Sequence, residues 1–128
     1  MGAPIRVQHV SVPMPTGGND EARRFYTGAL GFSEITPPSI LGSDRFVWFA
    51  VGDGGHELHA YTMEPFVQSQ PSQHFCVQVE NGAEYREKLA AGGYPVNEEP
   101  PINNRPRFST NDPFGNKVEI TEIIGDYS

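Results

Sequence analysis

The sequence has a single cysteine, Cys76, so no disulfide can close within the chain. It has no long apolar run. The longest, Phe46 to Val51, falls far short of the ~18 residues that a membrane span needs. Basic residues are few and scattered, 9 Lys and Arg against 16 Asp and Glu, for a formal net charge of −7. The electrostatic footprint of a nucleic-acid-binding surface is therefore missing. Met1-Gly2-Ala3-Pro4 lacks the basic-then-apolar design of a signal peptide. The expectation is a reducing, cytoplasmic setting, with neither membrane nor nucleic acid as a partner.

What is present is turn chemistry and short apolar patterning. With 14 Gly and 12 Pro in 128 residues, many turns are expected rather than long helices. Ile5 to Val12 alternates and is rich in β-branched residues, which predicts a strand ended by Pro13 and Pro15. Asn19 or Asp20 is placed to cap a helix reaching Leu30, with Ala22, Phe25, Tyr26 and Ala29 on one face. Phe32 to Thr36 reads as a strand. Arg45 to Val51 and His56 to Met63 read as a hairpin across Gly52-Asp53-Gly54-Gly55. After a Pro/Gln/Ser stretch the same order returns. It comprises a strand at Gln73 to Val79, an Asn81-capped helix from Gly82 to Ala91, and a short strand at Tyr94 to Asn97. A hairpin across Asp112-Pro113-Phe114-Gly115 follows, with arms Pro106 to Asn111 and Asn116 to Ile124.

The chain therefore contains an internal repeat. Gln8-His9-Val10 answers to Gln73-His74-Phe75, and each second strand leads to a double proline, Pro37-Pro38 and Pro100-Pro101. The stretch from Asp53 to His59 answers to that from Asp112 to Glu119. The expected organisation is one α+β domain of two βαβββ modules, about residues 4–64 and 73–128, joined by a linker at about 65–72.

Alternation along the strands places candidate chemistry on one side. Val10 and Val12 oppose His9 and Ser11. Leu58 and Ala60 oppose Glu57, His59 and Tyr61. Phe75 and Val77 oppose His74 and Cys76, and Val118 and Ile120 oppose Lys117 and Glu119. The polar faces thus carry His9, His59, His74 and Glu119 at positions paired by the repeat. Imidazole and carboxylate suit one divalent ion such as Zn²⁺, Ni²⁺, Co²⁺, Mn²⁺ or Fe²⁺. The plainer alternative is a solvated polar face.

These segments, with Arg24-Phe25-Tyr26-Thr27-Gly28-Ala29-Leu30-Gly31-Phe32, Leu58-His59-Ala60 and Asp112-Pro113-Phe114-Gly115-Asn116-Lys117-Val118-Glu119, resemble the vicinal oxygen chelate superfamily. That superfamily includes glyoxalase I, extradiol dioxygenases and bleomycin-resistance proteins. The resemblance implies paired βαβββ modules in an open barrel-like cup, and a metal that chelates two oxygens of a small-molecule substrate. It also implies a homodimer. By position His9, His74 and Glu119 match the shared metal triad, and His59 stands where glyoxalases usually carry Glu or Gln.

Four protein ligands on an octahedral ion leave two positions. That suits an enediolate, and with it lyase or isomerase chemistry in which Glu119 and His59 are the catalytic candidates. Three ligands leave three positions, which suits Fe²⁺ with catechol and O₂. His59 is then free to act as an acid or base. Glu57, Tyr61, Cys76, Trp48 and Arg107 are further pocket candidates. Each has a plainer alternative: a solvated face for Glu57 and Tyr61, core packing for Trp48, and a surface cation for Arg107. Cys76 ranks as a pocket-lining thiol ahead of a nucleophile. A function of another class, metal-free capture of a cationic drug or metabolite, fits the acidic balance.

Overall fold

The computed structural model describes residues 2–42 and 44–127. The chain divides into two compact units, Met1–Val67 and Gln68–Ser128. No helix among the described residues is long and apolar enough to cross a membrane.

The first unit runs β1 (His9–Met14), α1 (Asn19–Arg23) with a π-helical continuation (Arg24–Ala29), β2 (Ser33–Ile35), β3 (Phe46–Val51) and β4 (His56–Thr62). The sheet order is β1-β4-β3-β2, with β1 parallel to β4 and the other pairs antiparallel. The second unit runs β5 (His74–Gln78), α2 (Gly82–Ala91), β6 (Asn97–Glu98), β7 (Arg107–Asn111) and β8 (Lys117–Thr121). Its order is β5-β8-β7-β6, again with the first pair parallel. The matching orders express the repeat seen in the sequence. The fold is α+β, built from two βαβββ modules.

Burial follows the alternation. In the first unit Val12, Met14, Val47, Phe49, Leu58 and Ala60 are buried under the helix residues Ala22, Phe25, Tyr26 and Ala29. Phe25, Tyr26, Ala29 and Leu30 share one face and are all buried, and the helix closes in a π turn in which Leu30 N–H donates to Phe25 C=O at 3.0 Å. In the second unit Leu89 of α2 and the sheet residues Phe108, Val118 and Ile120 are buried, and the Arg86 guanidinium of α2 lies over the Phe108 ring at 4.5 Å.

Three local expectations are corrected. The first strand is shifted: Ile5 and Val7 lie exposed outside it, and Pro13 lies inside it. β1 is an edge strand, so Pro13 costs the sheet no ladder bond on its outer side. Neither Asn19 nor Asp20 caps the first helix. Gly18 holds that position and its carbonyl accepts from Ala22, while the Asn19 amide donates to Asp44 C=O at 3.2 Å. The strand expected at Tyr94 forms only at Asn97–Glu98, because Tyr94 N–H is spent on Leu89 C=O at the helix end. The Asn81 cap of α2, donated to by Glu84 N–H, forms as expected.

Candidate metal centre

In the first unit the polar sheet face gathers His9, Glu57, His59 and Trp48. His59 sits on the inner strand β4, with β1 on one side and β3 on the other. Trp48 is its cross-strand partner on β3, and the two rings stack with centroids 3.7 Å apart and planes 1° apart. His9 on β1 stacks on the ring as well, at 4.1 Å and 17°. Two neighbours cannot share one face at these distances, so His59 lies sandwiched between them. Trp48 thus faces the candidate histidines, while its strand neighbours Val47 and Phe49 fill the core. Tyr61, two residues from His59, is half-buried.

A hydrogen-bond network sets the protons. Glu57 Oε1 accepts from His59 Nε2 at 2.8 Å and the same carboxylate accepts from the Gln8 amide. Gln8 Oε1 accepts from His9 Nδ1 at 2.7 Å, which leaves the lone pair of His9 on Nε2. The His59 proton donation, with Gln8 behind it, holds the Glu57 carboxyl below its ordinary range. Burial pushes His59 below its ordinary value, partly offset by Glu57. Gln8 entered the sequence analysis only through the Gln-His repeat, and its role in holding His9 was not foreseen.

In the second unit His74, Cys76, Arg107 and Glu119 converge. Cys76 and Glu119 are register partners on β5 and β8. His74 Nδ1 donates to Ser72 C=O at 2.8 Å, so its Nε2 is the nitrogen turned toward Glu119 Oε1, 3.3 Å away. Arg107 Nη1 lies 3.3 Å from the same oxygen. The rest of the Arg107 guanidinium is held by Pro100 C=O, with Nε at 3.0 Å and Nη2 at 2.7 Å. The double-proline loop therefore fixes this arginine rather than leaving it on the surface. Packing around the thiol, then the Glu119 charge and hydrogen bond, push the Cys76 thiol up to about 12. It is a protonated thiol and a poor nucleophile.

Beside this cluster stands a group that the sequence reading missed. Glu99 Oε2 accepts from Ser109 Oγ at 2.7 Å and pairs with Lys117 Nζ at 3.2 Å. Ser109 is the register partner of Glu119. Glu99 comes from a loop without periodicity, so no pattern pointed to it.

Among the described residues no three His, Cys, Asp or Glu side chains form a group that could hold an ion. The donors come in pairs, one pair within each unit. In their chemistry they fit a divalent ion. His9 and His74 each have Nδ1–H tied to an oxygen, as metal-bound imidazoles have. His74 Nε2 and Glu119 Oε1 face each other 3.3 Å apart, near enough that one ion would take both.

Comparison with known proteins decides the family. The model of the Glyoxalase/Bleomycin resistance protein/Dioxygenase superfamily matches residues 6–120. The chain belongs to this superfamily. A solved structure described as of the glyoxalase family, from Bacillus anthracis, is 31% identical with a TM-score of 0.85, over 96% of this chain and 99% of that one. Lactoylglutathione lyase from Agrobacterium tumefaciens shares the fold at 19% identity and TM-score 0.69, over 94% of this chain and 96% of its own. An antibiotic binding protein from Streptomyces sp. CB03234 does so at 18% identity and TM-score 0.74, over 96% and 99%. A search of curated proteins finds no significant match.

Proposed function

We propose that this superfamily member is a metal-dependent enzyme acting on a small substrate with two neighbouring oxygens. His9, His74 and Glu119 are the donors to one divalent ion. The observation that carries the reading is the His74–Glu119 pair, whose facing donor atoms stand 3.3 Å apart with the Nδ1 side of the imidazole already committed.

A divalent ion bound there supplies Lewis-acid stabilisation to oxyanion charge that develops on the substrate. The chain supplies the rest. In this reading Glu119 carries a proton between adjacent substrate carbons, which is lyase or isomerase chemistry. Arg107, fixed by Pro100, offsets the charge of Glu119 on the side away from the proline loop's own hydrogen bonds. Cys76 remains protonated beside it and takes no covalent part. A second reading, ring cleavage of a catechol with Fe²⁺ and O₂, is favoured by one observation. The His59 ring lies stacked between Trp48 and His9, and without it the set is two histidines and one carboxylate with three open positions. We also propose that the chain works as a homodimer.

The test is metal analysis of the purified protein followed by a substrate screen with Ni²⁺, Co²⁺, Mn²⁺ and Fe²⁺. The expected result is about one ion per chain, lost in the His74→Ala, Glu119→Ala double variant. Turnover is expected on adducts that pass through an enediolate. Robust catechol cleavage with Fe²⁺ gives the second reading instead. Absence of metal with tight binding of a cationic drug reverses the proposal in favour of a capture protein. Sedimentation at working concentration checks the dimer, and a monomer mass refutes it.

A further inference from the structure

The first unit offers two imidazoles to the site, and their arrangement separates their roles. An imidazole donates to a metal through a lone pair that lies in the plane of the ring. Two imidazoles serve one ion only where their planes meet at that ion. His9 and His59 are face to face, 4.1 Å apart with 17° between the planes. Planes so nearly parallel do not meet within the ~2.0–2.1 Å of a metal–imidazole bond.

The hydrogen bonds hold each ring in its place. His9 donates from Nδ1 to Gln8 and presents Nε2, the arrangement that His74 repeats with Ser72 C=O. His59 has the opposite tautomer, with its proton on Nε2 and Glu57 Oε1 accepting it at 2.8 Å. Its ring is nearly buried, with 8% exposure, and Trp48 covers the face away from His9 at 3.7 Å. With its proton on Nε2, the His59 lone pair lies on Nδ1, in a ring plane that the stack of Trp48 and His9 holds nearly parallel to the plane of His9.

We propose that His59 is a positioning residue rather than a fourth ligand: gripped by Trp48 and Glu57, its ring is the platform that fixes the plane of His9. Glu57 completes the device by holding Gln8, whose carbonyl oxygen sets the His9 proton on Nδ1. The inference rests on the reading of His9, His74 and Glu119 as donors. It makes the protein-derived ligand count three, which would leave room for an enediolate with one solvent molecule, or for the catechol and O₂ of the second reading.

The test uses the full chain, stripped of metal by chelation and titrated with Co²⁺, read by affinity and by the visible absorption of the bound ion. His59→Phe keeps a flat ring between Trp48 and His9 and removes both nitrogens. It is expected to bind one Co²⁺ with the affinity and spectrum of the wild type. His59→Ala removes the platform and is expected to weaken binding by about 10–100-fold, the usual cost of losing an outer partner of a metal ligand, with the spectrum unchanged. Loss of binding or a shifted spectrum in His59→Phe overturns the inference while the metal reading stands. Absence of Co²⁺ binding by the wild type overturns both. Should either variant fail to fold, nitrogen NMR of the labelled wild type decides the matter. On Zn²⁺ loading the His9 nitrogens are expected to move and both His59 nitrogens to keep their resonances. A metal-induced shift of His59 Nδ1 like that of His9 Nε2 refutes the proposal.

Discussion

Trp48 and His59 lie face to face, their ring centroids 3.7 Å apart and their planes 1° from parallel. Trp48 is the only tryptophan in the chain, so its emission reports on this one contact. An imidazolium ring quenches an excited indole, and a neutral imidazole does so far less. Acidification is therefore expected to quench Trp48 emission. Burial lowers the pKa of His59 from its ordinary 6.5, so the midpoint of the quench is expected below 6.5. His59→Phe is expected to abolish it.

The same shift has a consequence for stability. A histidine whose folded pKa is depressed binds its proton first in the unfolded chain. Between 6.5 and the lower folded value the unfolded state holds more protons, so its contribution is complete above 6.5 and is lost as pH falls through that window. Glu57, also depressed, adds a second loss below its ordinary 4.5. Urea midpoints measured from pH 7.5 to pH 5 are expected to fall more steeply for the wild type than for His59→Phe. Equal slopes would contradict the assignment.

Asp112 in the β7–β8 turn is buried, and its carboxylate is fully used. Oδ1 accepts from Phe114 N–H and Asn116 N–H, each at 2.9 Å, and Oδ2 accepts from the Asn116 amide at 2.8 Å. Asp112→Ala leaves buried donors without an acceptor, at about 1–3 kcal/mol for each group left unsatisfied. The expected loss in chemical denaturation is at least about 3 kcal/mol. Asp112→Asn, which keeps one carbonyl acceptor, is expected to lose less.

Much of this architecture was legible in the residues. Period-two alternation exposed the polar faces at His9, Glu57, His59, His74 and Glu119, because one buried side of a sheet forces the pattern. The repeat of Gln-His at Gln8-His9 and Gln73-His74 announced two modules of one topology. The side chains that tie down the donors were not legible. Gln8 acts through Glu57 and His9, and the Pro100 carbonyl acts on Arg107, both by contacts that no periodicity encodes. Core packing was the plainer reading of Trp48, since an aromatic in an apolar strand does not declare its face. The register of β3 against β4 puts it opposite His59.

Cys76 offers a test of the second unit. Packing around the thiol and the neighbouring Glu119 charge raise it to about 12, so little thiolate exists near neutral pH. Alkylation by iodoacetamide at pH 8 is expected to run far slower than that of a free thiol. Glu119→Gln removes the charge and is expected to speed the reaction. An unchanged rate would show that the Glu119 charge does not hold the thiol protonated.

Arg107 gives the sharpest contrast between fold and site. Its guanidinium holds Pro100 C=O with two N–H groups and approaches Glu119 Oε1 at 3.3 Å, the oxygen that His74 Nε2 also faces at 3.3 Å. A cation there competes with a divalent ion for the same carboxylate and repels it. Arg107→Met keeps the apolar stem and removes the charge. At a separation of a few ångströms, one charge changes the interaction by about 1 kcal/mol or more, equivalent to roughly fivefold in Kd. The variant is therefore expected to bind Zn²⁺ or Co²⁺ at least about fivefold more tightly than the wild type at low salt, with a smaller gain at high salt. It also loses the Pro100 bonds, so its stability is expected to fall by about 1–3 kcal/mol. Tighter metal binding in a less stable protein is an outcome that general unfolding cannot mimic. Unchanged or weaker binding in a folded Arg107→Met would show that Arg107 does not contend with the ion for Glu119.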